Sequence, residues 1–281
     1  TVRSSLKVLA SIQQGAQLRS DVDKLKFPLN PEFDGKLIVA AKKAEAVDME
    51  NGLWFKIVGP MLPEVKALHK KHQEWLKSLK KEGKSADDVL SAYVDKSVPN
   101  LSSIVVMAEA GGKRMLLTGD ARGDKILEGL ELVGLMKKGG KIHVDVLKVP
   151  HHGSSNNLDN DFFDRITADH YVFSGDGEHG NPERESLQML LDARGDKPYE
   201  VHLTYPVAEL DKGRKEDWEK QQGAEEKKKL KNPKAKVRAN WAPKTQSLTA
   251  LFDAKPAFKK KIRIVEQGKP HVIDLLDKVD F

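Results

Sequence analysis

Two sets of potential metal ligands stand out, each placed directly after a short apolar run. Asp120 closely follows the run at residues 115–117, and His151 and His152 closely follow the run at 144–149. Carboxylate oxygen and neutral imidazole nitrogen are donors that Zn²⁺ accepts. Strands would fix these side chains, and glycine-containing loops would let a substrate approach. One interpretation is a metal site; the other is a helix-capping Asp120 beside two surface histidines.

The segments that carry these residues are typical of a strand–helix–strand unit. Residues 104–107 and 115–118 read as strands joined at Gly111-Gly112. A helix is predicted after Asp124, and residues 144–149 form the next buried strand. This order predicts an α/β protein with helices packed on the outside of a sheet.

Further elements are predicted on both sides of this unit. Residues 1–25 have helical spacing of apolar residues, and residues 37–40 and 53–58 read as strands. Residues 171–173 and 200–204 read as later strands of the same sheet.

The chain is interpreted as a single domain over residues 1–281 with three additions. Residues 62–95 are predicted to form a helical insertion, and the Lys-rich residues 207–245 an exposed helix or insertion. Residues 260–276 alternate apolar and polar side chains around a glycine turn, which predicts a C-terminal hairpin.

Composition narrows the chemistry. The chain has 281 residues, a net charge of +6 and no cysteine, so disulfides and thiolate metal sites are excluded. No run approaches the ~20 apolar residues that a membrane-spanning helix needs, and we expect a cytoplasmic protein. The positive charge concentrates in Lys-rich segments, which indicate either solvated helix faces or a surface for nucleic acid.

Several short motifs in the chain resemble those of one protein family. They are Asn-x-x-Ser at 100–103, Leu-Leu-Thr-Gly-Asp at 116–120, Asp-Val-Leu-Lys-Val-Pro-His-His-Gly-Ser at 145–154, Tyr-Val-Phe-Ser-Gly at 171–175 and His-Gly-Asn-Pro at 179–182. In this order they resemble the C-terminal half of metallo-β-lactamase-fold hydrolases, particularly the competence-type DNA-uptake branch and its soluble relatives. The resemblance covers roughly residues 95–205.

The resemblance implies an αβ/βα sandwich and a centre that holds two Zn²⁺ ions, with Mn²⁺ as the alternative. Asp120 matches the carboxylate that bridges both ions, and His151 or His152 matches the terminal ligand. The remaining histidine would contact the substrate or take part in catalysis, and the residues leave open which is which. The implied reaction is hydrolysis of a phosphodiester, in a small molecule or a nucleic acid, by a metal-bound hydroxide.

Other residues are candidates for supporting roles. His179 would donate a proton to the leaving group or line the pocket. Lys148 and Ser154 would contact an anionic substrate, and Asn100 and Ser103 would line the entrance. Each also has an ordinary interpretation as a solvated or loop residue.

One family motif is absent. The His-x-His-x-Asp-His ligand set does not occur in the sequence, and Thr167-Ala168-Asp169-His170 imitates only its end. We therefore expect the fold to be incomplete at its N-terminus, with the first ligands upstream of Thr1 or on a separate chain. Two ligands bind metal weakly, so we expect little turnover by this chain alone. The alternatives are a non-catalytic scaffold and a nucleic-acid-binding module.

Overall fold

The scaffold of the chain is one mixed β-sheet whose strands pair in their order along the sequence. The computed structural model describes residues 18, 20–70, 102–158, 161–266 and 268–276. Within these ranges the eight strands are β1 (Val47–Asp48), β2 (Leu53–Gly59), β3 (Val105–Ala110), β4 (Lys113–Leu117), β5 (Ile142–Lys148), β6 (Ile166–Phe173), β7 (Glu200–Leu203) and β8 (Ile262–Ile264). Strands β1 to β4 pair antiparallel, and β4 to β8 pair parallel. The predicted α/β class is confirmed.

Helices connect the parallel strands. They are α1 (Gly123–Leu132), α2 (Phe162–Arg165), α3 (Arg184–Arg194), α4 (Val207–Lys231), α5 (Pro243–Gln246), α6 (Leu248–Ala254) and α7 (Pro256–Lys259). Residues 20–25 and 62–70 are also helical. The rest of the predicted insertion at 62–95, and most of the predicted N-terminal helix, lie outside the described residues. Among the helices that can be described, none is long and apolar enough to cross a membrane.

The two faces of the sheet have different roles. Strand side chains alternate between faces, so neighbouring rows across the sheet point in opposite directions. One row is fully buried and consists of Leu116, Leu147, Tyr171 and Val201. The adjacent row, on the opposite face, consists of Met115, Val146, His170 and Glu200. The first face therefore builds the core, and the second carries polar side chains among apolar ones.

The core lies between the first face and the helices. Phe163 of α2 meets Tyr171 of β6 edge to face, with ring centroids 5.8 Å apart. Helix α1 lies so close to β2 that a Cβ on Gly129 would stand 2.0 Å from the carbonyl oxygen of Val58.

The structure differs from the prediction at residues 37–40 and at residues 260–276. Residues 37–40 contribute only a bridge between Ala40 and Met61. In place of the predicted C-terminal hairpin, β8 pairs parallel with β7, and residues 268–276 contain no strand. The free edge of β7 accepts β8 as a continuation of the parallel sheet, so the alternating pattern pairs with a distant strand rather than a local one.

The Lys-rich residues 207–245 form α4 and a return segment that packs along it. The indole Nε1 of Trp218 donates to the carbonyl oxygen of Ala239 at 2.9 Å. The Arg238 guanidinium lies over the Trp218 ring, 4.8 Å from its centroid, and pairs with Glu225 at 2.7 Å. The return segment is thus attached through aromatic and charged side chains, while the lysines of α4 face solvent.

Candidate metal centre

Asp120 and His152 meet at one edge of the sheet. Strands β4 and β5 run parallel, so the loops that follow them emerge at the same edge. The His152 Nε2 atom lies 3.5 Å from the Asp120 Oδ1 atom, and the two side chains are 45% and 42% exposed. The pair is therefore both close and open to a substrate.

The two loops are joined through the backbone of Gly119. Its carbonyl oxygen accepts from the N–H of His151 at 3.1 Å and from Lys148 Nζ at 2.9 Å. The N–H of Asp120 donates to the Ser103 hydroxyl at 3.2 Å. These bonds set the separation of Asp120 and His152 independently of their own side chains.

The histidine loop has an unusual backbone. His151, His152 and Gly153 all have positive φ, at 48°, 57° and 87°. Residues other than glycine rarely adopt this region. His151 and His152 therefore each cost of order 1–3 kcal/mol, which surrounding contacts must offset. The Gly153 carbonyl oxygen accepts from the Glu183 N–H at 2.9 Å and from the Ser186 hydroxyl at 2.7 Å. The start of α3 thus holds the loop in place.

The surroundings of His152 orient its ring. Its Nδ1 atom lies 3.3 Å from the Ser174 carbonyl oxygen and 3.2 Å from the Ser174 hydroxyl. A carbonyl oxygen can only accept, so we infer that Nδ1 carries a proton and that Nε2 is the ring atom that faces Asp120. His151 differs, since its Nδ1 is buried without a hydrogen-bond partner. The structure thus places His152, rather than His151, against the carboxylate.

The other candidate residues occupy varied positions. Ser154 is buried and donates to Glu183 at 3.1 Å, and Ser103 supports the Asp120 loop. Burial lowers the pKa of Lys148, while the charge of Asp120 acts to raise it. Asn100 lies outside the described residues. The substrate contacts expected of these four residues remain predictions.

His179 lies on the loop that follows β6 and lines a different cavity. The cavity has a volume of about 340 Å³, and its walls include Arg214, Trp218 and Trp241 but neither Asp120 nor His152. His179 has a φ of 60° and sits in a short 3₁₀ turn at Glu178–Gly180. Its expected role as a proton donor at the Asp120 edge remains a prediction.

Asp120 and His152 fit two positions of a metal shell, as a carboxylate and an oriented imidazole. In the ranges that the structure covers, these two residues do not belong to any group of three close His, Cys, Asp or Glu side chains. The donor set at this edge, as far as it is described, therefore supplies two ligands, which is fewer than the three that catalytic Zn²⁺ sites use.

A second cluster lies on the strands themselves and combines His170, Glu200 and His202. His202 is 3% exposed. Burial lowers the pKa of His202 to about 4, and repulsion from His170 and His271 acts in the same direction, so its ring is neutral at pH 7. This cluster was not predicted from the sequence, because its members come from two strands whose pairing is not visible in local spacing. The alternation of Glu200 and His202 on one strand face was the signal available.

Comparisons with known proteins give short matches. No family model matches the chain, and no solved structure matches it. Microtubule-associated protein 1A of Rattus norvegicus is 33% identical over 116 residues, which is 40% of this chain and 4% of that protein. The Homo sapiens protein of the same name is 40% identical over 57 residues, 20% of this chain and 2% of that protein. Microtubule-associated protein futsch of Drosophila melanogaster is 41% identical over 70 residues, 24% of this chain and 1% of that protein. The chain thus spans 4% or less of these relatives.

Proposed function

We propose that this chain contributes Asp120 and His152 to the centre of a metal-dependent hydrolase acting on a phosphodiester or similar ester. The supporting observation is the 3.5 Å approach of the Asp120 carboxylate to the His152 imidazole at the carboxyl edge of parallel strands. Ligand sites in open α/β sheets commonly lie at this edge. The proposal includes the metallo-β-lactamase-like sandwich and requires metal ligands in addition to Asp120 and His152.

Each residue has a chemical task in this proposal. A carboxylate has two oxygens, so Asp120 is suited to hold two ions together. The contacts with Ser174 orient the His152 ring so that its Nε2 atom lies beside the Asp120 carboxylate. Lys148 places a positive charge at the Gly119 carbonyl, where it would offset the charge of a phosphate. The bound metal, Zn²⁺ or Mn²⁺, would supply an activated hydroxide and polarise the ester.

The first test is metal binding to the full chain. The test uses the Glu200→Gln chain, in which the second cluster lacks its carboxylate, and follows Mn²⁺ binding by the loss of the free-ion electron paramagnetic resonance signal. Binding is expected to be weak, because Asp120 and His152 are two ligands, and adding Asp120→Asn or His152→Ala should weaken it by about tenfold or more. The proposal fails if both added substitutions leave Mn²⁺ binding as it is in the Glu200→Gln chain. Two tightly held ions per unchanged chain would instead contradict the incomplete ligand set.

A matched control is available on the same sheet. His143 Nε2 lies 3.5 Å from Asp169 Oδ1, and the two side chains are 51% and 56% exposed. The distance and exposure resemble those of the candidate pair, but His143 lies within β5 rather than at its carboxyl end. His143→Ala should leave Mn²⁺ binding unchanged. It should also leave unchanged any metal-dependent hydrolysis of bis(p-nitrophenyl) phosphate.

A second candidate function is non-catalytic binding to a large acidic partner. The observation that favours it is the exposed lysine run at the end of α4, at positions 227, 228, 229 and 231. Nucleic acid is the partner that the charge predicts, and a microtubule is the one that the names of the relatives suggest. The two measurements are co-sedimentation with microtubules and DNA binding at increasing salt. Whichever of these activities the unchanged chain has should be lost when Lys227, Lys228 and Lys229 become Glu. Absence of both activities in the unchanged chain at low salt would reject this candidate.

A further inference from the structure

Three metal-ligating side chains come together where β6 and β7 pair. The register aligns His170 with Glu200 and Val172 with His202. His170, Glu200 and His202 therefore lie on the same face of the sheet, with His170 and Glu200 directly opposite each other. This is the face opposite the buried core row, and it is separate from the loops that carry Asp120 and His152.

The donor atoms have the spacing of a metal shell. His170 Nδ1 lies 3.0 Å from His202 Nε2, and Glu200 Oε2 lies 3.5 Å from the first and 3.6 Å from the second. Two ligands of a tetrahedral Zn²⁺ ion with bonds of ~2.0–2.1 Å are ~3.3–3.4 Å apart. A point about 2.0 Å from all three atoms lies at the centre of this triangle, so an ion fits with little movement of the side chains.

Outer contacts fix the ligands in position. The Nδ1 atom of His202 lies 2.9 Å from Nε2 of His271, so the second ring nitrogen of His202 has a partner of its own. The remaining Glu200 oxygen, Oε1, accepts from Arg263 at 2.6 Å. Partners of this kind orient metal ligands in proteins and fix which ring nitrogen is free to bind. Both outer residues lie on or after β8, so the parallel addition of β8 completes the arrangement.

Exposure suggests that a bound ion would keep an open position. The side chain of His202 is 4% exposed, whereas those of His170 and Glu200 are 23% and 34% exposed. The ion would thus have protein on one side and solvent on the other. Three protein ligands with one position left for water or substrate is the arrangement of catalytic rather than structural zinc sites.

We propose that His170, Glu200 and His202 form a Zn²⁺ site with an open fourth position, which shares no ligand with Asp120 and His152. Two imidazoles and one carboxylate suit Zn²⁺, and Co²⁺ is a suitable spectroscopic substitute. In the absence of metal, a hydrogen bond between His170 and His202 takes the place of the ion. Metal binding requires that neither nitrogen of this hydrogen bond, His170 Nδ1 or His202 Nε2, carries a proton.

The test is a Co²⁺ titration of the full chain after removal of metal by a chelator. One equivalent of Co²⁺ should give the visible absorption of tetrahedral coordination, and Zn²⁺ should displace it. His170→Gln and Glu200→Gln should lower the affinity at least ~100-fold, and Arg263→Gln about tenfold, because outer partners alone are worth ~10–100-fold. Circular dichroism verifies that each variant is folded, and the Glu200→Gln side chain keeps the size of the original.

Controls separate this site from the proposed hydrolase centre. Asp120→Asn, His152→Ala and His143→Ala should each leave the tetrahedral Co²⁺ signal unchanged. The inference is overturned if the unchanged chain gives no such signal. It is also overturned if His170→Gln and Glu200→Gln bind as the unchanged chain does, or if Asp120→Asn abolishes the signal. Failure of the Mn²⁺ test at Asp120 would leave this result unaffected.

Discussion

The imidazole Nε2 of His152 lies 3.5 Å from a carboxylate oxygen of Asp120, although the two residues follow different strands. The approach is set by the backbone, because the Gly119 carbonyl oxygen accepts from both the His151 N–H and the Lys148 ammonium. The side chains themselves are 45% and 42% exposed, so an interaction between them is weak in water. The geometry is thus set by the fold rather than by contact between the two side chains.

The first prediction follows from this separation of fold and site. Asp120→Asn and His152→Ala should each change the free energy of unfolding by about 1 kcal/mol or less, because contacts between exposed polar side chains contribute little to stability. Urea denaturation of the metal-free chain measures the change. A loss of several kcal/mol in either variant would mean that the pair is part of the structure, and the metal-binding tests on these variants would then need a different design.

The second prediction concerns Gly153 in the histidine loop. Its φ is +87°, and an added Cβ would lie 2.6 Å from the ring of Phe173, which is fully buried. Gly153→Ala should destabilise the chain by about 2–5 kcal/mol, through left-handed backbone strain together with overpacking. Thermal and urea unfolding measure the loss.

Gly134 is the matched control for Gly153. It has a φ of +77°, but an added Cβ there would meet nothing within 4 Å. Gly134→Ala should therefore cost only the backbone term, about 1–2 kcal/mol. Equal losses at both positions would show that contact with Phe173 plays no part.

The third prediction concerns Glu183, which directly precedes α3 and supports the histidine loop. Its carboxylate accepts from Ser154 at 3.1 Å and from Ser155 at 2.5 Å. Glu183→Ala should cost about 2–3 kcal/mol, because two hydrogen bonds to a charged group are lost and the buried Ser154 hydroxyl is left without its acceptor. Glu185→Ala, at an exposed position in the first turn of α3, should cost less than about 1 kcal/mol. Similar losses for the two variants would contradict this role of Glu183.

The ends of β4 and β5 could be predicted from the sequence, and the site could be predicted in part. Apolar runs followed by glycine or proline mark where buried strands stop, and parallel strands bring Asp120 and His152 to one edge. The backbone of the histidine loop could not be predicted. The positive φ of His151 and His152 depends on contacts with α3 and β6, which no local pattern encodes.

The cluster at His170 could not be predicted for a related reason. Its members lie on strands that are adjacent only through the parallel pairing of β6 and β7, and His271 and Arg263 join after β8 is added. The sequence pattern at 260–276 indicated the two strands of a hairpin, but among the described residues of this range Ile262–Ile264 alone forms a strand, and it pairs with β7. Pairing between distant strands depends on the packing of the whole sheet, which a local pattern does not encode.

The fourth prediction concerns two glycines within helices. A Cβ on Gly129 of α1 would lie 2.0 Å from the backbone oxygen of Val58, whereas one on Gly223 of α4 would meet nothing within 4 Å. Gly129→Ala should destabilise the chain by about 3 kcal/mol or more, because helix and strand must separate. Gly223→Ala should stabilise it by up to about 1 kcal/mol, since alanine favours helix. Urea denaturation should thus show shifts of opposite sign, and a neutral Gly129→Ala would contradict the close packing of α1 on β2.

The fifth prediction concerns Asp145 and the pH dependence of stability. Its carboxylate accepts from Lys113 Nζ at 2.9 Å and from the Arg114 N–H at 2.8 Å. Burial acts to raise the pKa of Asp145, but these two hydrogen bonds together with the charges of Lys113 and His143 outweigh it and hold the pKa below its usual range. A carboxyl group with a lowered folded-state pKa stabilises the fold above its unfolded-state value of about 3.9, and this contribution is lost as the pH falls through the folded-state value.

Asp145→Asn should therefore cost about 1–3 kcal/mol at pH 7, which is the range for hydrogen bonds to a charged group. The difference from the unchanged chain should begin to shrink below about pH 5 and become small once Asp145 is protonated in both states. Urea denaturation at pH 7 and at several values between pH 5 and pH 3 measures this. Asp169→Asn, whose carboxylate is 56% exposed, should show a small effect throughout. A loss at Asp145 that stays constant down to pH 3 would mean that shape, rather than charge, is what the side chain contributes.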